Sequence, residues 1–97
     1  MRIELSEYVE GDIQQIADYI AQDSQRNALR LVEDLYDAIQ RIARSPLHYP
    51  LRPEIAKDAR MAIVGRHLIL FHVAEDTVRI DRVVFGGRDL PSLFDQL

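Results

Sequence analysis

The chain has 97 residues, with 12 basic against 16 acidic side chains, a net charge of −4, 47% apolar residues and no cysteine. That is apolar material for one small core, a single domain over residues 1–97, and the lack of thiols excludes both a disulfide framework and a thiolate metal site. The opening MRIELSEYVEGD carries charge from position 2, and no run reaches the roughly 18 apolar residues of a membrane span, so a cytoplasmic protein is expected.

Met1, Ile3 and Leu5 alternate with Arg2 and Glu4, the period of a half-buried strand. Ser6 then offers an N-cap, and Val9, Ile13, Ile16, Ala17 and Ile20 fall on one stripe of a first helix, which Gly11 weakens slightly. A polar stretch from Gln22 to Asn27 supplies Ser24 as a second cap. Beyond it Ala28, Leu31, Val32, Leu35, Ala38, Ile39 and Ile42 trace a longer amphipathic helix, the strongest periodic signal in the chain. Arg41 and Arg44 suit the negative end of its dipole, and Ser45-Pro46 ends it because proline disfavours helical geometry in the residue before it. Joined by so short a link, the two helices make an αα-hairpin.

Pro46, Pro50 and Pro53 predict an extended crossover from helices to sheet. Arg60 to Val64, His67 to Val73 and Thr77 to Phe85 then read as three strands joined by tight turns at Gly65-Arg66 and Ala74-Glu75-Asp76, an antiparallel meander. The middle strand is apolar on both alternations, Leu68 and Leu70 on one and Ile69, Phe71 and Val73 on the other, as suits a central strand covered on both faces. The order is β-α-α-β-β-β, an α+β fold in which the helical hairpin packs on a small antiparallel sheet.

Few of the chain's polar residues form a constellation with chemical meaning. His67 and His72 are five apart in one strand and so point to opposite faces, and His48 lies in the proline-rich stretch; no metal site is expected. Glu33, Asp34 and Asp37 make a solvated acidic ridge, not the opposed carboxylates of a hydrolase. Gly86-Gly87 lacks the spacing of a phosphate cradle, and no serine sits in a nucleophile elbow. What remains is a set of arginines, Arg60, Arg66, Arg79, Arg82 and Arg88, with Lys57 just ahead, a charge set suited to clamping phosphates or an acidic protein segment. Arg66 and Arg79 read as surface charges that guard the sheet against edge pairing. Arg82 differs: counted from Val78, Ile80 and Val84 it falls on the apolar alternation, so its charge requires a partner such as Asp81, Asp89 or a carbonyl.

One family shares these pieces in this order. Asp12-Ile13, Ile16 and Tyr19-Ile20-Ala21 stand in the first helix, and Ala38-Ile39 to Ser45-Pro46 close the second. Then come Arg60, the run Val64-Gly65-Arg66-His67-Leu68-Ile69-Leu70-Phe71, and the run Ile80-Asp81-Arg82-Val83-Val84-Phe85-Gly86-Gly87-Arg88-Asp89. Over nearly its whole length the chain resembles the ParE branch of the ParE/RelE toxin superfamily, the toxic halves of bacterial toxin–antitoxin pairs. The resemblance implies a protein without a cofactor that inhibits DNA gyrase, blocks DNA replication and is neutralised by a ParD-like antitoxin. It also implies an antitoxin segment docked on the helical hairpin, with Ile16, Tyr19, Ile20, Leu31 and Leu35 as its contacts. The target surface would draw on Arg60, Arg82, Arg88, Asp89, Leu93 and Phe94.

The RelE branch instead cuts messenger RNA on the ribosome, which needs a base for the 2′-hydroxyl, cations for the phosphate and an acid for the leaving oxygen. Arg60 and Arg82 match basic positions of that branch. The chain ends Leu90-Pro91-Ser92-Leu93-Phe94-Asp95-Gln96-Leu97, however, without the Tyr or His that the RNA-cutting relatives place near the C-terminus. A protein inhibitor rather than an enzyme is therefore expected, with a ribosome-dependent endoribonuclease and a non-toxic partner-binding module as the alternatives. The first 46 residues carry 5 basic and 9 acidic side chains and the rest 7 of each, a balance that predicts no non-specific attraction to nucleic acid; no sequence-specific DNA binding by this chain alone is expected either.

Overall fold

Residues 1–87 are described by the structure, a computed structural model. Along them run β1 (Arg2–Leu5), α1 (Val9–Ala21), α2 (Gln25–Arg44), a 3₁₀ turn (Pro46–His48), β2 (Arg60–Val64), β3 (His67–Ala74) and β4 (Thr77–Phe85). The order is the one the hydrophobic periods predict.

α2 forms where the helical period is cleanest. Ser24, in extended geometry, accepts Asn27 N–H at 3.2 Å and caps the helix, while Arg41 and Arg44 occupy its last turn. Pro46 follows at the start of the 3₁₀ turn, where a missing N–H costs nothing. α1 begins differently. Its N-cap is Tyr8, with no side-chain bond, so Ser6 is not the cap that its residue type suggested. Ser6 Oγ instead accepts Tyr8 N–H at 3.2 Å and donates to Asp81 O at 2.6 Å, tying the helix entry to the sheet.

The sheet order is β1-β4-β3-β2. β2, β3 and β4 form the expected antiparallel meander, and β1 lies parallel to β4 at one edge, which makes the whole sheet mixed. Parallel pairing is possible because the helical hairpin and β2–β3 supply a long connection between the two strands. At the β2–β3 turn Gly65 takes φ +60°, a left-handed conformation that glycine adopts without steric cost.

Each face of the sheet has its own core. Val9 and Ile13 of α1 and Leu35, Ile39 and Ile42 of α2 pack on Ile69, Phe71, Val78, Ile80 and Val83. On the other face Leu68, Leu70 and Val84 are covered by Ile55 and Ala59. The cover comes from the segment expected to be an extended crossover. That segment opens as a 3₁₀ turn, bridges to β2 through Leu51 and Arg60, and then roofs the far face. β3 is apolar on both alternations because both faces are covered. β1 is less buried than its alternation implied: Ile3 packs against the helix-side core, whereas Met1 and Leu5, at the sheet edge, stay 55% and 45% exposed.

Candidate functional site

β4 changes neighbours halfway along. Thr77 to Ile80 pair with β1, whose last partner is Leu5; β4 then continues to Phe85 with only β3 beside it. At the change Phe71 stands opposite Ile80 and Leu70 opposite Arg82, so Asp81 is an extra residue, a bulge that interrupts the alternation. Ile80 and Val83 consequently share the helix-side core while Val84 joins the far-side cluster. The simple count that set Arg82 in step with Ile80 and Val84 fails for this reason.

Side chains complete the edge that β1 leaves. Ser6 N–H donates to Ile80 O at 2.9 Å, and the Ser6 hydroxyl takes Asp81 O. Asp12, in the first turn of α1, accepts Val83 N–H through Oδ2 at 3.1 Å. The same carboxylate receives the Arg82 guanidinium in bidentate fashion, Nε to Oδ2 and Nη2 to Oδ1, both at 2.8 Å. The Arg82 and Asp12 side chains are only 11% and 10% exposed. Tyr8 lies against the pair, its ring centroid 4.8 Å from the Arg82 Cζ. The bond to Asp12 raises the Arg82 pKa above the ordinary arginine value. Asp81 accepts a bond of 2.7 Å from His72 Nδ1; burial pushes its carboxyl up, and the His72 bond opposes that rise.

Arg82 thus needs a partner, as its sequence position suggested, but the partner is Asp12 in α1 rather than Asp81, Asp89 or a carbonyl. The signal was present in the sequence. Asp12 stands three residues after Val9 and four before Ile16, on the buried stripe of α1, where a carboxylate demands a cation.

Beside this pair an open groove of about 610 Å³ runs between α1 and the end of the meander. Ile16, Tyr19 and Ile20 make its helix wall, Val83 to Phe85 its sheet wall, and Arg66 and His67 sit where β2 turns into β3. Tyr19 is 74% and Phe85 50% exposed. Phe85 meets His67 edge-on at 6.0 Å, and burial lowers the His67 pKa. Three of the five residues proposed for antitoxin contact converge here. The other two do not: Leu31 is half-buried against the helix-side core, and Leu35 is wholly buried in it and has no surface to offer a partner.

The arginines are dispersed rather than gathered. Arg60 Nη1 donates to Tyr49 O at 2.6 Å, and Arg79, exposed, lies 3.6 Å from Glu4 across the β1–β4 pairing. Arg66 is exposed at the groove rim. Arg88, Asp89, Leu93 and Phe94 lie outside the described residues. Among the described residues no three His, Asp or Glu side chains gather to hold a metal ion, and no helix is long and apolar enough to cross a membrane.

Comparison with known proteins adds three findings. A family model described as ParE toxin of type II toxin-antitoxin system, parDE, matches residues 3–90. No curated protein sequence matches the chain. Among solved structures, a chain of the chromosomal ParDE TA system from P. aeruginosa superposes with a TM-score of 0.76 at 18% identity, covering 88% of this chain and 95% of its own. That likeness establishes the fold, two helices on a four-stranded mixed sheet. With the sequence match extending over both helices and all four strands, the chain belongs to the ParE toxin family of type II toxin–antitoxin systems.

Proposed function

We propose that this chain acts in the cytoplasm as a protein inhibitor of DNA gyrase, blocking DNA replication, and that a ParD-like antitoxin neutralises it. The observation that carries the choice of mechanism is the Arg82–Asp12 pair. A cation that stabilises a phosphate in flight must face the substrate. Here the Arg82 guanidinium is buried and doubly bonded to a carboxylate, and Arg60 is turned to the Tyr49 carbonyl. Neither arrangement favours the endoribonuclease reading, which relied on those two residues.

The groove supports the antitoxin half of the reading. Its apolar walls suit the apolar face of an amphipathic helix, with Ile16, Tyr19 and Ile20 as contacts on α1. The segment from Gly86 to Leu97, with Arg88, Asp89, Leu93 and Phe94, is assigned to the gyrase contact. The test is plasmid supercoiling by purified gyrase with the free chain added. Loss of supercoiling supports the reading, and unaffected supercoiling at stoichiometric excess ends it. Cleavage of messenger RNA on ribosomes, lost in Arg82→Ala while the fold persists, would replace it with the nuclease.

A further inference from the structure

Asp12 occupies an unusual place for a helix residue. Strand β1 stops pairing at Leu5, yet β4 runs on from Asp81 to Phe85 with one edge bare of any strand. A bare edge leaves outward N–H and C=O groups to be satisfied by something else. Two side chains do this: Ser6 takes the Asp81 carbonyl and Asp12 takes the Val83 amide. The Asp12 carboxylate does more than close an ion pair, because Oδ2 holds the main chain of β4 and the Arg82 guanidinium at once.

We propose that Asp12 is a positioning residue that stands in for the missing stretch of β1. By gripping β4 at Val83 it fixes the sheet wall of the groove, Val83 to Phe85, against the α1 wall, four residues along from Asp12 at Ile16. It also steadies the end of β4 at Phe85, beside Gly86, where the segment assigned to the gyrase contact begins. Both features lie where the groove and the gyrase-contact segment have been assigned, so the functional half of this inference rests on that assignment. The structural half rests on the hydrogen bonds alone. The anchor acts from a helix rather than from a neighbouring strand, so any shift of α1 is passed directly to the end of β4.

Three variants separate this role from simple stabilisation. Asp12→Ala removes all three bonds, the two from Arg82 and the one from Val83. Asp12→Asn keeps an oxygen for the Val83 amide but discards the charge that pairs with Arg82. Leu35→Ala weakens the core beneath the whole sheet and leaves the Asp12 bonds to Arg82 and Val83 in place. Amide hydrogen exchange is read at Val83 and Val84 against Ile69 and Phe71 as internal reference, and gyrase supercoiling is titrated with each folded protein. In Asp12→Ala the two β4 amides should exchange at least roughly a hundredfold faster relative to the reference pair, and the inhibitory dose should rise at least roughly tenfold. Asp12→Asn should lose stability yet stay close to the unmutated chain in both readouts, and it also serves if the alanine variant does not fold. Leu35→Ala should raise exchange at all four amides together.

The proposal is overturned if Asp12→Ala speeds the β4 amides only in step with the reference pair. It is equally overturned if Asp12→Asn and Asp12→Ala lose local protection alike, since that would make the ion pair the whole story. Failure of the unmutated chain to inhibit gyrase would end the functional reading only; the exchange comparison would still decide whether Asp12 holds β4.

Discussion

The two halves of β4 differ in how they are held. From Thr77 to Ile80 the strand has a strand on each side, and its outward charge, Arg79, makes a loose exposed contact with Glu4. From Asp81 to Phe85 the place of β1 is taken by Ser6 and Asp12, and the charges there are buried and closely paired. A strand-on-strand edge depends little on which residues supply it. An edge finished by side chains depends on two particular residues, so the second half of β4 is the more vulnerable to single substitutions and the more sharply shaped. It also forms one wall of the groove.

Substitutions should separate the halves by size of effect. Arg82→Ala leaves the Asp12 carboxylate buried without its cation, and urea unfolding should show a loss of about 3–5 kcal/mol. A loss under 1 kcal/mol would mean that water reaches the pair and the contrast with Arg79 is false. Leu35→Ala opens a cavity in the core beneath both halves and should cost about 2–5 kcal/mol by the same measurement, with no difference in local exchange between them. Ser6→Ala removes the hydroxyl from Asp81 O and should cost about 1–1.5 kcal/mol, detectable as a lowered melting temperature. Arg79→Ala, in the first half, should change stability by less than about 1 kcal/mol, because the contact with Glu4 is exposed on both sides.

The sequence carried the architecture well and the site less so, for physical reasons. Helix and strand periods are local, and α2, with its Ser24 cap and Pro46 stop, needed nothing from elsewhere in the chain. The meander was equally legible because its turns lie between adjacent strands. The parallel placement of β1 was not, since its partner β4 is separated from it by most of the chain. Arg82 stood out as a cation needing a partner, but the Asp81 bulge broke the count that placed it, and the Asp12 carboxylate is 70 residues away. Tyr19 on α1 was singled out, whereas its opposite wall, Val83 to Phe85 with His67, depends on how α1 crosses the sheet and has no local signature.

Acidity offers the smallest and most selective probe of the same contrast. Burial shifts two groups on or beside the second half of β4, and in directions that give opposite signs. His67, opposite Phe85, is held below its ordinary pKa by desolvation, so the fold prefers it neutral. An unfolded chain then binds the extra proton first, and stability should fall as pH drops through about 6.5 toward the folded value. Asp81 is raised above its ordinary pKa by burial, against the pull of His72 and Arg79. Its share of stability is complete below about pH 4 and is lost as pH rises through the folded value, so acidification toward that range should return part of what His67 removed. Melting temperatures taken from pH 7.5 to 4 should therefore show a dip whose descending limb disappears in His67→Gln and whose recovery disappears in Asp81→Asn. Arg79→Ala should leave the descending limb unchanged, because the first half of β4 holds neither of these groups; if it flattens that limb instead, the titration belongs to the whole strand and the division between its halves fails.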